Sequence, residues 1–278
     1  MKQKRVVAIH DISGFGKCSL TVALPVVSAA GIETSVLPTS VLSTHTGGFT
    51  GYTFRDLTDD ITKIADHWKS IGLEFDGIYT GYLGSAAQVE LISRFVDDFS
   101  SSAVIVDPAM ADHGKLYAGF EGNFPKLMLG LCKKADFILP NITEALFMLG
   151  REYVEGPYTK EFIEELLLSL HNEGIKNIVL TGVYFENDKI GAACSDGKTI
   201  EYILHKRIDK IYHGTGDVFA SAFCAAYMRG ATMKRATEIA AGFTVRSIEC
   251  TLRNNPERNY GVNFEQALKF LIGEIEND

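Results

Sequence analysis

The sequence predicts an α/β fold, a mostly parallel central sheet with helices on both faces and an antiparallel extension at one edge. Three observations carry this. Apolar runs of strand length alternate with apolar-periodic runs of helix length. Most of the short runs end in glycine, proline or small polar residues, as strands do where they feed a turn. Between Val183 and Arg207 the alternation gives way to short strand-like runs separated by Asn187-Asp188 and Asp196-Gly197.

The elements follow in order. Arg5–His10 is a first strand and Asp11–Lys17 a glycine-rich turn. Cys18–Ala30 is an apolar helix closed by Gly31, where a left-handed residue can end it. Glu33–Leu37 is a second strand, and Thr39–Arg55, rich in Ser, Thr and Gly, reads as a loop. Asp56–Ile71 is an amphipathic helix, Gly77–Thr80 a buried strand, Ala86–Phe99 a helix and Ala103–Val106 a strand stopped by Asp107-Pro108. Phe137–Leu139 is a strand before Pro140-Asn141, and Thr143–Leu149 and Thr159–Asn172 are helices. Asn177–Thr181 is a strand, followed by strand-like runs at Val183–Phe185, Ile190–Cys194 and Ile200–Ile203. Three helices finish the chain: Asp217–Arg229, Lys234–Cys250 and Phe264–Glu276. No repeat or Pro/Ser-rich linker interrupts the series, so residues 1–278 read as one domain.

Composition narrows the function. The 278 residues are 46% hydrophobic and 22% charged, as in an ordinary globular protein. The formal charge of −8 argues against a nucleic-acid surface. It leaves room for a small anion, because a helix N-terminus binds phosphate locally. Cysteines 18, 132, 194, 224 and 250 form neither a zinc pattern nor a disulfide framework, which suits a reducing cytoplasm. The first apolar run ends at Asp11, too short for a signal peptide, and no stretch approaches a membrane span.

Chemistry gathers where strands end, the position at which open parallel sheets bind ligands. Those ends carry His10-Asp11-Ile12-Ser13-Gly14, Thr80-Gly81-Tyr82-Leu83-Gly84-Ser85, Asp107-Pro108, Pro140-Asn141-Ile142-Thr143-Glu144 and Thr181-Gly182. A P-loop would need Gly at 11 and Ser or Thr at 18, where the chain has Asp11 and Cys18. A dinucleotide GxGxxG fails at Ser19. Gly214-Thr215-Gly216-Asp217 is the most telling stretch. Two glycines let the chain turn tightly into a helix whose free N–H groups favour an anion. Asp217 there is either a helix cap or a carboxylate that takes a proton beside a stabilised phosphoryl group.

TGYLGS at 80–85, VDPAM at 106–110, LPNITE at 139–144 and GTGD at 214–217 together resemble the ribokinase-like superfamily, and most closely its vitamin B6 (pyridoxal/pyridoxamine) kinases. The order and approximate spacing match along nearly the whole chain. The resemblance implies ATP and Mg²⁺ as cofactors, room for a monovalent cation, a B6 vitamer as phosphoryl acceptor, and a homodimer. It makes Asp217 the general base and the amides of Gly214, Thr215 and Gly216 the anion hole. Asn141, Glu144, Thr181 and Gly182 would serve the nucleotide, and Asp107 with Glu144 the metal. Asp11, Ser13, His45, Thr46 and Tyr82 would face the vitamer. Adenine is expected between the stretch 207–212 and the helix 234–250, and segments 43–55 and 111–124 are expected to act as flaps. Two features divide the substrate reading. Asp11-Ile12-Ser13-Gly14 resembles the DPSGGAG opening of hydroxymethylpyrimidine (phosphate) kinases, whereas those enzymes commonly carry cysteine where this chain has Asp217.

Overall fold

The structure is a computed structural model that describes residues 3–99, 102–120 and 122–277. In chain order its elements are β1 (Arg5–Ser13), α1 (Leu20–Ala29), β2 (Glu33–Leu42), β3 (Phe54–Asp56), α2 (Thr58–Ser70), β4 (Gly77–Thr80), α3 (Ala86–Asp98) and β5 (Ala103–Val106). Then come β6 (Ala111–Asp112), β7 (Lys115–Leu116), α4 (Phe124–Cys132), β8 (Phe137–Ile138), α5 (Ile142–Met148) and α6 (Lys160–Asn172). The chain ends with β9 (Ile178–Val183), β10 (Lys189–Ser195), β11 (Ile200–Lys206), α7 (Thr215–Met228), α8 (Met233–Asn254), a 3₁₀ turn (Phe264–Ala267) and α9 (Leu268–Glu276).

Contacts group these elements into two compact units. The first comprises Met1–Tyr79 and Asp209–Asp278. Its strand order is β4-β1-β2-β3, with β1 and β2 parallel and β3 antiparallel on β2. Val6, Val7, Ala8 and Ile9 are fully buried, as expected of a strand covered on both sides. Helix α7 is buried almost all round: Val218, Ala222, Phe223, Cys224, Ala225 and Ala226 have no exposed surface. Small residues on that helix let α1 and α8 pack closely against it.

The second unit is Thr80–Ile208. Strands β5, β8 and β9 run parallel, and β10 and β11 extend them antiparallel in the order β11-β10-β9-β8-β5. The antiparallel edge read from the sequence is therefore present.

The departures have physical causes. Strand β2 runs to Leu42, because Pro38 falls opposite His10 and the pairing resumes beyond it at Ile12–Val41. Strand β3 pairs along that extension within the expected loop. Val183 continues β9, so the turn begins at Tyr184 rather than at Gly182. Segment 111–124 contains the small hairpin β6–β7; residue 121 lies outside the described residues. Helix α4 had no sequence expectation, since its run is short and apolar on several sides.

Candidate active site

In the first unit, Asp11 and Ser13 sit at the end of β1, buried to 4% and 1% exposure. The Ser13 hydroxyl donates to Asp11 Oδ2 at 2.8 Å. Burial pushes the Asp11 carboxyl above its usual range, opposed by hydrogen bonds from the Ser19 and Ser13 hydroxyls. The turn after β1 is tied to the end of β2: Gly14 N–H donates to Leu42 O at 2.8 Å and Phe15 N–H to Ser43 O at 3.0 Å.

Asp217 lies in the first turn of α7 and is half-buried. Desolvation by the surrounding protein pushes its pKa up to about 7, with the Ser19 main-chain N–H opposing the effect and the Asp11 charge adding to it. Gly214 caps α7 in the left-handed region at φ 76°. A Cβ on it would lie 1.8 Å from the Lys17 carbonyl oxygen and 3.0 Å from Cys18 Sγ. The glycine is therefore required twice, by backbone conformation and by the approach of the β1–α1 turn. Thr215 donates its hydroxyl to Tyr212 O at 3.4 Å, and Gly216 is exposed with open space about it.

His45 joins the same neighbourhood. Its N–H donates to Phe15 O at 3.3 Å, and its Nε2 lies 3.0 Å from Tyr260 O. Its Nδ1 is buried with no hydrogen-bond partner among the described residues, as is Thr44 Oγ1. Thr46 is exposed. A Cβ on Gly47 would meet the His213 ring at 2.5 Å, so the loop after β2 presses on the residue that precedes Gly214. The structure thus brings Asp11, Ser13, His45 and Gly214–Asp217 into one region of the first unit.

Two contributors were not foreseen. Ser19, 6% exposed at the start of α1, opposes the upward shift of both acids, through its hydroxyl at Asp11 and its main-chain N–H at Asp217. Segment 258–261 closes the region: Lys17 N–H donates to Tyr260 O at 3.1 Å, and Phe15, Phe49, His45 and Tyr260 form an aromatic group. Only the glycine and aromatic content of that segment hinted at it.

In the second unit, the predicted residues stand at strand ends. Asp107 is 7% exposed, and its N–H donates to Thr80 O at 2.9 Å. Asn141 and Glu144 form a reciprocal capping box on α5, in which Asn141 Oδ1 accepts from Glu144 N–H and Glu144 Oε2 accepts from Asn141 N–H, both at 2.9 Å. Glu144 Oε1 also accepts from Met110 N–H at 3.1 Å and Ala111 N–H at 3.5 Å, while Asn141 Nδ2 donates to Ala111 O at 2.8 Å. Both side chains are thus spent on the main chain and fix the loop after β5. Burial pushes Glu144 up to about 8 against the amides that favour its ionised form. Thr181 N–H donates to Pro140 O at 2.8 Å, and Gly182, inside β9, takes a positive φ of 76° where the pairing with β10 shifts register. Tyr82 is half-buried against Phe120, ring centroids 5.4 Å apart. Among the described residues, no group of three or more His, Cys, Asp or Glu is arranged to hold a metal by itself, and no helix is long and apolar enough to cross a membrane.

The model of the family described as phosphomethylpyrimidine kinase matches residues 26–262. The chain belongs to this kinase family. The hydroxymethylpyrimidine/phosphomethylpyrimidine kinase of Bacillus subtilis (strain 168) is 28% identical over 221 residues, covering 79% of this chain and 78% of its own. The crystal structure of pyridoxal kinase from Lactobacillus plantarum is 31% identical with TM-score 0.91, covering 100% of this chain and 99% of its own. A structure from Bacteroides thetaiotaomicron, called a phosphomethylpyrimidine kinase and crystallised with pyridoxal, is 36% identical with TM-score 0.90, covering 97% and 96%. The α/β fold is accordingly ribokinase-like, and the resemblance to vitamin B6 kinases holds along the chain.

Proposed function

We propose that the chain is a Mg-ATP-dependent kinase that phosphorylates the 5′-hydroxymethyl group of pyridoxal, pyridoxamine or pyridoxine, a B6 salvage reaction. The observation that carries this is Asp217. A carboxylate with its pKa raised to about 7, in the first turn of a helix whose amides face outward, is suited to taking a proton at neutral pH. The acceptor hydroxyl gives its proton to Asp217 as its oxygen attacks the γ-phosphorus and ADP leaves. The amides of Gly214, Thr215 and Gly216 stabilise the charge on the transferred group. Thr181 and Gly182 contact nucleotide phosphate. Asn141 and Glu144 act through the loop they fasten. The donor set fits a hydrated Mg²⁺ held mainly by phosphates, with Asp107 as its protein carboxylate; a cation beside Glu144 would favour that residue's ionised form. Asp11, Ser13, His45, Thr46 and Tyr82 recognise the vitamer; the orphan Nδ1 of His45 supports its part. We further infer a cytoplasmic homodimer of single kinase domains, which light scattering at twice the chain mass would support.

The family's name and the Asp11 carboxylate favour a second reading, hydroxymethylpyrimidine (phosphate) kinase of thiamine synthesis. Purified protein with Mg-ATP, assayed against pyridoxal, pyridoxamine, pyridoxine and hydroxymethylpyrimidine, separates the two by kcat/KM. The B6 reading expects the best vitamer to exceed the pyrimidine by roughly tenfold or more. The reverse ratio selects the second reading, and no ATP consumption with any acceptor removes both.

A further inference from the structure

The main chain holds one edge of the His45 ring and leaves the other without a partner. Nε2 lies 3.0 Å from Tyr260 O. A carbonyl oxygen only accepts, so Nε2 carries the proton, and in a neutral ring Nδ1 is then a bare acceptor. Tyr260 O also accepts from Lys17 N–H at 3.1 Å, which fastens segment 258–261 to the turn after β1. That approach depends on a glycine, because a Cβ on Gly261 would lie 2.2 Å from Lys17 Cβ. Gly16 closes on the same edge of the ring: a Cβ there would lie 2.1 Å from His45 Cδ2 and 2.6 Å from Nε2. Nδ1 stands across the five-membered ring from that edge and is aimed away from Gly16. Phe49 meets the ring edge to face with centroids 4.9 Å apart, and the His213 ring lies at 5.7 Å. A flip of the ring would break the Tyr260 bond. Nδ1 is nevertheless buried and unpartnered among the described residues, in a side chain whose residue is 5% exposed. A buried acceptor without a donor costs stability, and a binding site retains that cost where the ligand supplies the missing donor.

We propose that the Tyr260 carbonyl and Gly16 are positioning groups that hold His45 as its Nε2–H tautomer, and that the bare Nδ1 selects phosphoryl acceptors whose ring offers an N–H or O–H donor. This rests on the kinase reading for what the ligand is. A B6 vitamer offers a phenolic hydroxyl or a ring N–H, and hydroxymethylpyrimidine offers an exocyclic amine, so both candidate acceptors meet the demand. A ring presenting a carbonyl or ether oxygen at that place would set two acceptors against each other and be rejected. The ring's neutrality is consistent with its surroundings. Burial lowers the His45 pKa and His213 adds to this, against the Tyr260 carbonyl and the Asp11 charge. Segment 258–261 thereby acts on recognition through its main chain, which is why no side chain in it announces the role.

The test is imidazole ¹⁵N NMR of the whole chain labelled at histidine and free of nucleotide, with the His45 signals assigned by His45→Gln. In the unliganded protein His45 should show a one-bond Nε2–H cross-peak protected from exchange with water, and an unprotonated Nδ1. An Nδ1–H signal, or no Nε2–H peak, would overturn the proposal. Saturating pyridoxine or hydroxymethylpyrimidine, followed by the ligand's own ¹H signals, should move the Nδ1 resonance toward its protonated position and leave Nε2 in place. A bound ligand with Nδ1 unmoved would overturn the selection while the kinase reading stands. Binding of neither compound would remove that reading and the selection together, with the tautomer still read. Gly261→Ala should lose the Nε2–H peak to exchange and weaken acceptor binding by about threefold or more, with the Kd for ATP little changed. A retained peak in that variant would remove the Tyr260 carbonyl as the holder. If Gly261→Ala fails to fold, the unliganded and liganded spectra of the parent still decide.

Discussion

Asp217 meets two demands that pull apart. Desolvation keeps its carboxyl protonated up to about pH 7, which makes it a capable proton acceptor near neutrality and an unfavourable charge in the folded chain above that pH. The sign follows from linkage. A carboxyl raised from 3.8 unfolded to about 7 folded favours the fold most below its unfolded pKa, and this advantage is lost as pH rises to about 7. Asp217→Asn should therefore melt a few degrees higher than the parent at pH 8, with the gain shrinking toward pH 4. It should also lose roughly 10²–10⁴-fold in kcat while nucleotide still protects it from heat. Parent kcat/KM should fall as pH drops through about 7. A variant with full turnover would remove Asp217 as base, and a Tm difference independent of pH would contradict its raised pKa. Asp217 and Asp11 were legible in the sequence because acids beside glycine turns at strand ends are chemically conspicuous. Ser19 was not, because its contribution lies in a backbone conformation that residue identity does not announce.

At the scale of elements, the site depends on how turns are packed. Gly214 and Gly216 look equivalent in the sequence and are not in the structure. Gly214→Ala places a Cβ 1.8 Å from the Lys17 carbonyl and keeps a positive φ, so it should lower Tm sharply and abolish turnover. Gly216→Ala meets nothing within 4 Å and lies inside α7, so it should hold or raise stability, by about 0.5–1 kcal/mol. Equal melting of the two variants would show that the β1–α1 turn gives way. The α5 capping box supports a second comparison. Asn141→Ala loses the cap and the bond to Ala111 O, which should cost about 0.5–2 kcal/mol in urea unfolding and speed proteolysis near residues 110–116. Unchanged proteolysis would show that the loop is held without Asn141. Long periodic helices such as α6 and α8 were legible because burial on one face imposes their period. Strand β3 and the hairpin β6–β7 were not, since two- and three-residue strands exist only by pairing with a neighbour.

For the whole molecule, the alternation of strand and helix was enough to give the α/β class, because covering a parallel sheet requires it. The closing segment 258–261 escaped notice because its contacts with Lys17 and His45 span more than two hundred residues of sequence. The same whole-molecule view bears on how an anionic nucleotide is held by a chain of net charge −8. The long-range field repels ATP, and salt screens that repulsion beyond a Debye length of about 8 Å at physiological ionic strength. The proposed phosphate contacts are the amides at Gly214–Gly216 and the main chain at Thr181-Gly182, short-range dipoles that salt screens poorly. KM for ATP should therefore stay within about threefold from 50 to 300 mM salt, since screening relieves repulsion without stripping away the binding groups. The titration uses tetramethylammonium chloride over a fixed level of KCl, so that any need for a specific monovalent cation stays satisfied. A tenfold rise in KM would assign the nucleotide to clustered Lys or Arg side chains instead, and would direct attention to Arg207 and Lys210 in the stretch where adenine was expected.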